Sequence, residues 1–250
     1  MPGPIQSIER AAAVLRLLAR GSGPLGVGEI ATALDLAKPT AHGILRTLLG
    51  VGFVGQDTLT GKYLLGPAIG ELWTDRLDVN ELRSRAIHRA DALASRSGES
   101  VRIAVARETG ITVIHHVFRP DNSAQALAVG EILPAHATAL GKVLLAYDAA
   151  AEAVALQGFT QRTITERDRL DRAIAEVRRR GWADEVEEHR SGEAGIAVPI
   201  RARGGLVVAA IGITGPTDRL CDNRLQVRPA AIEQVRAAAL AVHRDLTAAQ

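Results

Sequence analysis

Between Lys38 and Thr47 the chain reads KPTAHGILRT, and every polar side chain in that run is a hydroxyl or a nitrogen base or cation. Lys38, Thr40, His42, Gly43, Arg46 and Thr47 fall on one side of a helix. The opposite side carries Ala41, Ile44, Leu45 and Leu48 at i, i+3, i+4, i+7 spacing, the apolar stripe that a helix turns inward. No carboxylate interrupts the polar side. Ammonium, guanidinium, hydroxyl and imidazole groups on one ridge suit phosphate oxygens and the edges of bases, which a carboxylate would repel. Lys62, just after the turn signal Thr60-Gly61, adds a cation placed for a phosphate or the minor groove.

Other residues hold reactive chemistry only one at a time. His115, His116, His136 and His189 with Cys221 are metal-ligand types, yet adjacent histidines on a strand point to opposite faces and no H-x-x-x-H occurs. No metal or cofactor is therefore expected, and hydrogen-bonded or solvated histidines are. Ser191 lacks a G-x-S-x-G elbow. Gly21 to Gly26 spells G-x-G-x-x-G but follows a helical pattern and contains proline, whereas a dinucleotide turn needs a preceding strand. Gly55 to Lys62 has one residue too many for a phosphate loop. No basic microenvironment that would activate Cys221 can be shown from the sequence, and Lys142 reads as a structural or surface contact rather than a Schiff base. These absences weigh against the alternative of a small-molecule metabolic enzyme carrying a winged-helix appendage. The expectation is a protein that is not an enzyme.

The elements that must position the polar ridge are legible around it. Val27, Ile30, Ala31 and Leu34 form a first short helix, Asp35 to Lys38 breaks the pattern, and Pro39 sits where a helix tolerates proline, in its first turn. Phe53–Gln56 and Lys62–Leu65 read as strands of a hairpin. Two helices and a hairpin make a winged helix-turn-helix, whose second helix enters the major groove. Ile5 to Arg20 should close that core with Ile8, Ala12, Leu15 and Leu18.

Composition bounds the rest. Of 250 residues 47% are hydrophobic and only 3% aromatic, so the cores are Ala, Val, Leu and Ile. One cysteine excludes an internal disulfide. No apolar run approaches the ~20 residues of a membrane span, and the first residues lack a secretory layout, so a cytoplasmic protein without membrane contact is expected. Residues 1–66 hold six Lys/Arg against four acidic residues, and the remainder 24 of each, so the net +2 lies in the winged segment. That is the sign that DNA binding requires, and two such heads would double it.

Three segments are expected: 1–66 for DNA, a linker helix at 67–79, and 80–250 for effector binding and oligomerisation. In the linker, Ile69, Leu72 and Trp73 form an apolar side suited to pairing. A helix at Val79–Ser97 precedes strands at Val101–Ala106 and Ile111–Phe118, with Gln125–Val129 a third. Thr138–Tyr147 forms a short helix and another starts at Ala149. Thr165-x-x-Asp168 has the form of a capping box for a helix ending at Gly181. Strands return at Trp182–Glu188, Gly195–Ile200 and Leu206–Thr214, and Asn223 is placed to cap a terminal helix. The layout is α+β, that of a small-molecule sensor.

The whole chain resembles the IclR family of bacterial transcriptional regulators. The resemblance rests on Lys38-Pro39-Thr40-Ala41-His42, Tyr63-Leu64-Leu65-Gly66, the run Leu133 to Lys142, Gly181-Trp182-Ala183, Glu187-Glu188, Gly195 to Ile200 and Ile213-Thr214-Gly215-Pro216. Within it, His116 to Pro120 with Gln125 through Lys142 is similar to glycerol-operon regulators of actinobacteria. The resemblance implies a GAF-like effector domain, a homodimer or homotetramer, and double-stranded operator DNA as partner. It also implies an effector site at the Ala139 and Leu140 amides, Glu185, Gly195, Gly212 and Thr214. Where some relatives carry cysteine this chain has Gly195, and where some carry serine it has Gly212, which implies a roomier pocket than a small 2-oxo acid needs. The expected function is repression of a catabolic operon, relieved by a small polar metabolite.

Overall fold

The computed structural model describes residues 5–20, 23–69, 78–121, 123–147 and 155–248. The chain divides into two compact units, residues 1–76 with 204–206 and residues 77–203 with 207–250. The first is a winged helix. α1 (Gln6–Arg20), α2 (Val27–Ala33) and α3 (Lys38–Gly50) pack with the two-stranded sheet of β1 (Val54–Gln56) and β2 (Tyr63–Leu65). Val14, Leu18, Ile30, Leu45, Leu48, Val54 and Tyr63 form its core. Burying an aliphatic side chain of this kind stabilises the fold by roughly 1.5–3 kcal/mol. Asp35, with φ 51°, makes the left-handed turn between α2 and α3. Pro39 lies in the first turn of α3, as its fixed φ favours.

The second unit is a six-stranded antiparallel sheet in the order β5-β4-β3-β8-β7-β6. Its strands are β3 (Ser100–Arg107), β4 (Gly110–Val117), β5 (Ile132–Leu133), β6 (Ala183–Val186), β7 (Glu193–Arg201) and β8 (Val207–Pro216). Alternation along the strands divides two cores. Val101, Ile103, Val105, Ile196, Val198, Ile211 and Ile213 face α4 (Val79–Ser97) and α8 (Pro229–Thr247). Ala104, Ile111, Val113, Ala183, Ala197 and Ala210 face α5 (Ala139–Leu145) and α6 (Arg167–Arg180). The second face is lined by smaller side chains, which lets helices and polar groups come close. A short helix, α7 (Thr217–Leu220), follows β8.

Several expectations are corrected. In α1 the buried residues are Val14 and Leu18, while Ile8 is 62% exposed. The stripe is therefore 11, 14, 18, a spacing that the chain satisfies as well as 8, 12, 15, 18. Residues 125–129 form no strand; the third partner is β5, which pairs Leu133 with Ile111. Thr165 caps nothing in α6, whose N-cap is Glu166 and makes no side-chain cap bond. Thr163 supplies the local hydroxyl instead, accepting from the amides of Phe159 and Thr160 at 3.0 and 2.9 Å. Asn223 does not cap α8, which starts behind Arg228 with Pro229 pre-setting φ. Asp222 takes the amides of Arg224 and Gln226 at 2.8 and 2.9 Å and folds that turn. Residues 67–69 are helical, but Leu72, Trp73 and Ala149, where a further helix was expected to start, lie outside the described residues. Among the described residues no helix is long and apolar enough to cross a membrane.

Candidate functional site

Two sites emerge, one in each unit. In the winged helix, α3 buries Ala41, Leu45 and Leu48 and leaves Lys38, His42, Gly43, Arg46 and Thr47 exposed, with Thr40 half-buried. The ridge seen in the sequence is thus a real surface, and it is acid-free over its length. Thr47 donates its hydroxyl to the Gly43 carbonyl at 3.1 Å, so it is spent on backbone in this state. A Cβ at Gly43 would meet nothing within 4 Å, so the surface dips there and gives a docked duplex room.

The wing is held by a residue that the sequence reading passed over. Asp57 is buried, and its Oδ1 accepts from the Leu59 amide at 3.0 Å, the Thr60 amide at 2.9 Å and the Thr60 hydroxyl at 3.1 Å. Gly61 completes the turn at φ 66°, where glycine carries no strain. The signal was present as D-x-x-T-G, an aspartate able to bond backbone amides two and three residues on. Lys62 follows at the tip, 3.5 Å from Glu29, with both side chains about half exposed. Glu29 is held below the usual carboxylate range by the Gly26 amide first and by Lys62 second. An exposed pair of this kind is readily exchanged for a phosphate.

In the second unit one face of the sheet collects the remaining residues. Register places Glu185, Gly195, Thr214 and Ser100 in one row across β6, β7, β8 and β3. The next row holds Ala197, Gly212, Arg102 and His116. The start of α5 comes down on the first row, where the Ala139 amide donates to Glu185 Oε2 at 3.0 Å. Thr138 caps the helix, accepting from the Gly141 amide at 3.2 Å. Ala139, Glu185, Gly195, Gly212 and Thr214 are thus brought together. Leu140 follows Ala139 in α5, with its side chain buried in the apolar cluster.

The glycines do not open a larger pocket, contrary to expectation. A Cβ at Gly195 would lie 3.0 Å from Glu185 Oε1, so the space is taken by that carboxyl group. A Cβ at Gly212 would lie 2.6 Å from the Ile196 carbonyl oxygen, so glycine serves close strand approach.

Glu185 is the electrostatic centre of this end. Burial pushes its pKa up to about 8, opposed by Lys142 and by the Ala139 amide and reinforced by Glu188. At neutral pH it is mostly a neutral acid, accepting from an amide while keeping a proton to give to a ligand oxygen. Lys142 is buried and pairs with Glu188 Oε1 at 2.6 Å, a structural contact. Burial likewise raises Glu188. His116 is lowered to about 4, by burial first and then by Arg102.

The metal-ligand residue types are used separately. His116 bonds Ser100, His136 bonds the Gln157 carbonyl at 2.8 Å, and Cys221 is buried in the opposite core. Among the described residues no three His, Cys, Asp or Glu side chains gather in a way that holds a metal ion. Arg102 and Ser100 lie on the same face of the sheet, with Glu131 3.8 Å from Arg102, and none of the three was singled out from sequence. A lone arginine in the alternation of Val101-Arg102-Ile103 on a buried strand was the available signal.

With both sites described, comparison with known proteins is specific. Residues 7–58 match the family model for the IclR helix-turn-helix domain, and residues 74–244 that for the bacterial transcriptional regulator IclR C-terminal domain. The chain is 51% identical over 248 residues to the glycerol operon regulatory protein of Streptomyces coelicolor, covering 98% of this chain and 97% of that one. It is 46% identical to the glycerol operon regulatory protein of Streptomyces griseus, with the same coverage of each. Among solved structures it is similar to an IclR transcriptional regulator from Alicyclobacillus acidocaldarius, with a TM-score of 0.57, 25% identity and 98% and 99% of the two chains covered. An IclR homolog from Microbacterium hydrocarbonoxydans, complexed with 4-hydroxybenzoate, shares the fold at a TM-score of 0.60, with 24% identity and 96% and 99% covered.

Proposed function

The chain belongs to the IclR family of bacterial transcriptional regulators, and on that premise we propose that it represses a polyol-catabolic operon, glycerol being the first candidate, until a small polar metabolite binds the sensor face. The observation that carries the DNA-binding half is the exposed, carboxylate-free ridge of α3 from Lys38 to Thr47, followed at once by the wing. In this reading Arg46 and His42 reach base edges or adjacent phosphates, Lys38, Thr40 and Thr47 fix the helix along the backbone, and Lys62 exchanges Glu29 for a phosphate.

One head offers few cations, and specific binding at ~10⁻⁸ M calls for two heads on a palindromic site. We therefore assign residues 1–66 to DNA, 67–79 to a linker helix and 80–250 to effector binding and assembly into a dimer or tetramer, within the cytoplasm. The effector would lie against Ala139, Leu140, Glu185, Gly195, Gly212 and Thr214. To signal, it must bind one arrangement of the assembly more tightly than another, and a coupling of about 1–3 kcal/mol gives a 5- to 150-fold change in operator affinity.

The test is fluorescence anisotropy with the DNA upstream of the protein's own gene, titrated with metabolites and run beside a turnover screen. Saturable, salt-dependent binding that a metabolite releases is the expected result. Turnover of a metabolite without DNA affinity would favour the enzyme reading and overturn this one.

A further inference from the structure

Arg102 occupies the middle of the sensor face, and what surrounds it does not account for it. Its side chain is 18% exposed. In register it lies between His116 on β4 and Gly212 on β8, so its neighbour on β8 contributes no side chain. Its Nε is buried and meets no acceptor among the described residues. The carboxylate in range is Glu131, 3.8 Å from NH1 and beyond hydrogen-bond distance, and Arg190 stands 4.0 Å from the same Glu131. A buried guanidinium N–H without an acceptor is costly, and folded proteins rarely leave one.

A second observation concerns Ser100, next to Arg102 but one on the same face. The Ala128 amide donates to His116 Nδ1 at 3.1 Å, which places the ring proton of the neutral imidazole on Nε2. That proton is then donated to Ser100 Oγ at 2.8 Å. The Ser100 hydroxyl proton is left to seek an acceptor on the face that also holds Thr214. A guanidinium and a hydroxyl thus both present unspent donors, and together with Thr214 and Glu185 they can serve an oxygen-rich ligand.

We propose that Arg102 is the oxyanion anchor of the effector site, and that the effector is a short polyol or hydroxy acid bearing one phosphate or carboxylate group. The inference rests on the reading of this face as the sensor site. Arg102 takes the oxyanion and Ser100 and Thr214 take neighbouring oxygens. Glu185, as a neutral acid, meets a hydroxyl at the other end of the row. Glu131 is the displaceable counter-charge, loose enough at its 3.8 Å distance from Arg102 to yield to a bidentate ligand.

Isothermal titration of the full-length protein tests it, with glycerol, glycerol 3-phosphate, glycerate and longer polyols, their phosphates and hydroxy acids as probes. Charged members should bind and their uncharged parents should not, and whichever of phosphate or carboxylate binds names the anion. Arg102→Met should weaken the charged probe by roughly 10- to 150-fold, the loss of a charge-assisted hydrogen bond, and Arg102→Lys by less. The thermal midpoint of unliganded Arg102→Met should equal or exceed that of the parent, because the parent carries an unsatisfied buried donor. A lower midpoint with no selective loss of the charged probe would make Arg102 structural and overturn the inference, as would binding by neutral polyols alone or by no charged probe at millimolar concentration. Thr214→Phe separates the two readings. If it abolishes binding and Arg102→Met does not, only the anchor fails. If the charged probe binds Thr214→Phe as tightly as the parent, the sensor face itself is misassigned.

Discussion

The carboxyl group of Glu185 and the backbone amide of Ala139 are joined across 46 positions of sequence by a 3.0 Å hydrogen bond. The first free amide of α5 is therefore already served by a side chain of the protein, and a ligand at that point must either work with Glu185 or move it.

The pairing makes stability depend on pH with a definite sign. Folding holds a proton on Glu185 that the unfolded chain releases near 4.5, and the folded group releases it only at about 8. Stability from this group is complete below 4.5 and falls as pH rises toward 8, on the order of a few kcal/mol over the window. Glu185→Gln keeps an acceptor for the Ala139 amide and cannot ionise. Urea midpoints of parent and variant should differ more at pH 8 than at pH 5, in favour of the variant. A constant difference would refute the raised pKa. His116 works in the other direction, since the unfolded chain takes up a proton below 6.5 that the fold refuses until about 4.

For the recognition ridge, Arg46→Ala should cost about 1–3 kcal/mol in operator affinity and relax preference at one base pair. Lys62→Ala should weaken all duplexes alike and flatten the salt slope by about one unit. Anisotropy titrations over a range of salt concentrations separate the two behaviours. Unchanged binding by Arg46→Ala would remove α3 from the groove.

Gly43 lies on an exposed part of α3 with open space where its Cβ would be. Gly43→Ala should raise the stability of the winged helix by roughly 0.5–1 kcal/mol, from backbone entropy alone. If affinity falls while the thermal midpoint rises, the dip at Gly43 is needed for close approach to DNA.

Asp57→Ala removes the acceptor of two backbone amides and a hydroxyl at the wing. A loss of about 1–3 kcal/mol in stability is expected, with weaker binding to every duplex. Asp57→Asn retains one acceptor oxygen and should recover most of both. Failure of asparagine to recover either would mean that the charge, not the turn, is what the wing requires.

What was legible in the sequence was periodic or local. The α3 stripe, Pro39 at its start and the Thr60-Gly61 turn are written within a few residues of one another, and the structure follows them. Val101-Arg102-Ile103 and Gly195 to Ile200 declare strands for the same reason. What escaped depends on contacts between distant segments. Nothing near Glu185 says that its carboxyl group will meet Ala139, or that Gly195 exists to make room for it. Gln125 to Val129 has strand-like composition, but Ile132 and Leu133 win the edge position beside Ile111 and Thr112. Capping residues misled twice, because Pro229 fixes the start of α8 without help and Thr163 bonds a turn ahead of the helix expected from Thr165.

The order of strands also bears on how the molecule comes to exist. β3, β4 and β5 form one local meander, β6, β7 and β8 another, and they pair along β3 and β8, from Ser100 with Thr214 through Arg102 with Gly212 to Ala104 with Ala210. Those pairs are on the order of a hundred positions apart, and closing so long a loop is slow. Neither meander alone contains a complete sensor row. A ligand touching both would slow their separation, and resistance to unfolding would then rise most steeply at the seam between β3 and β8.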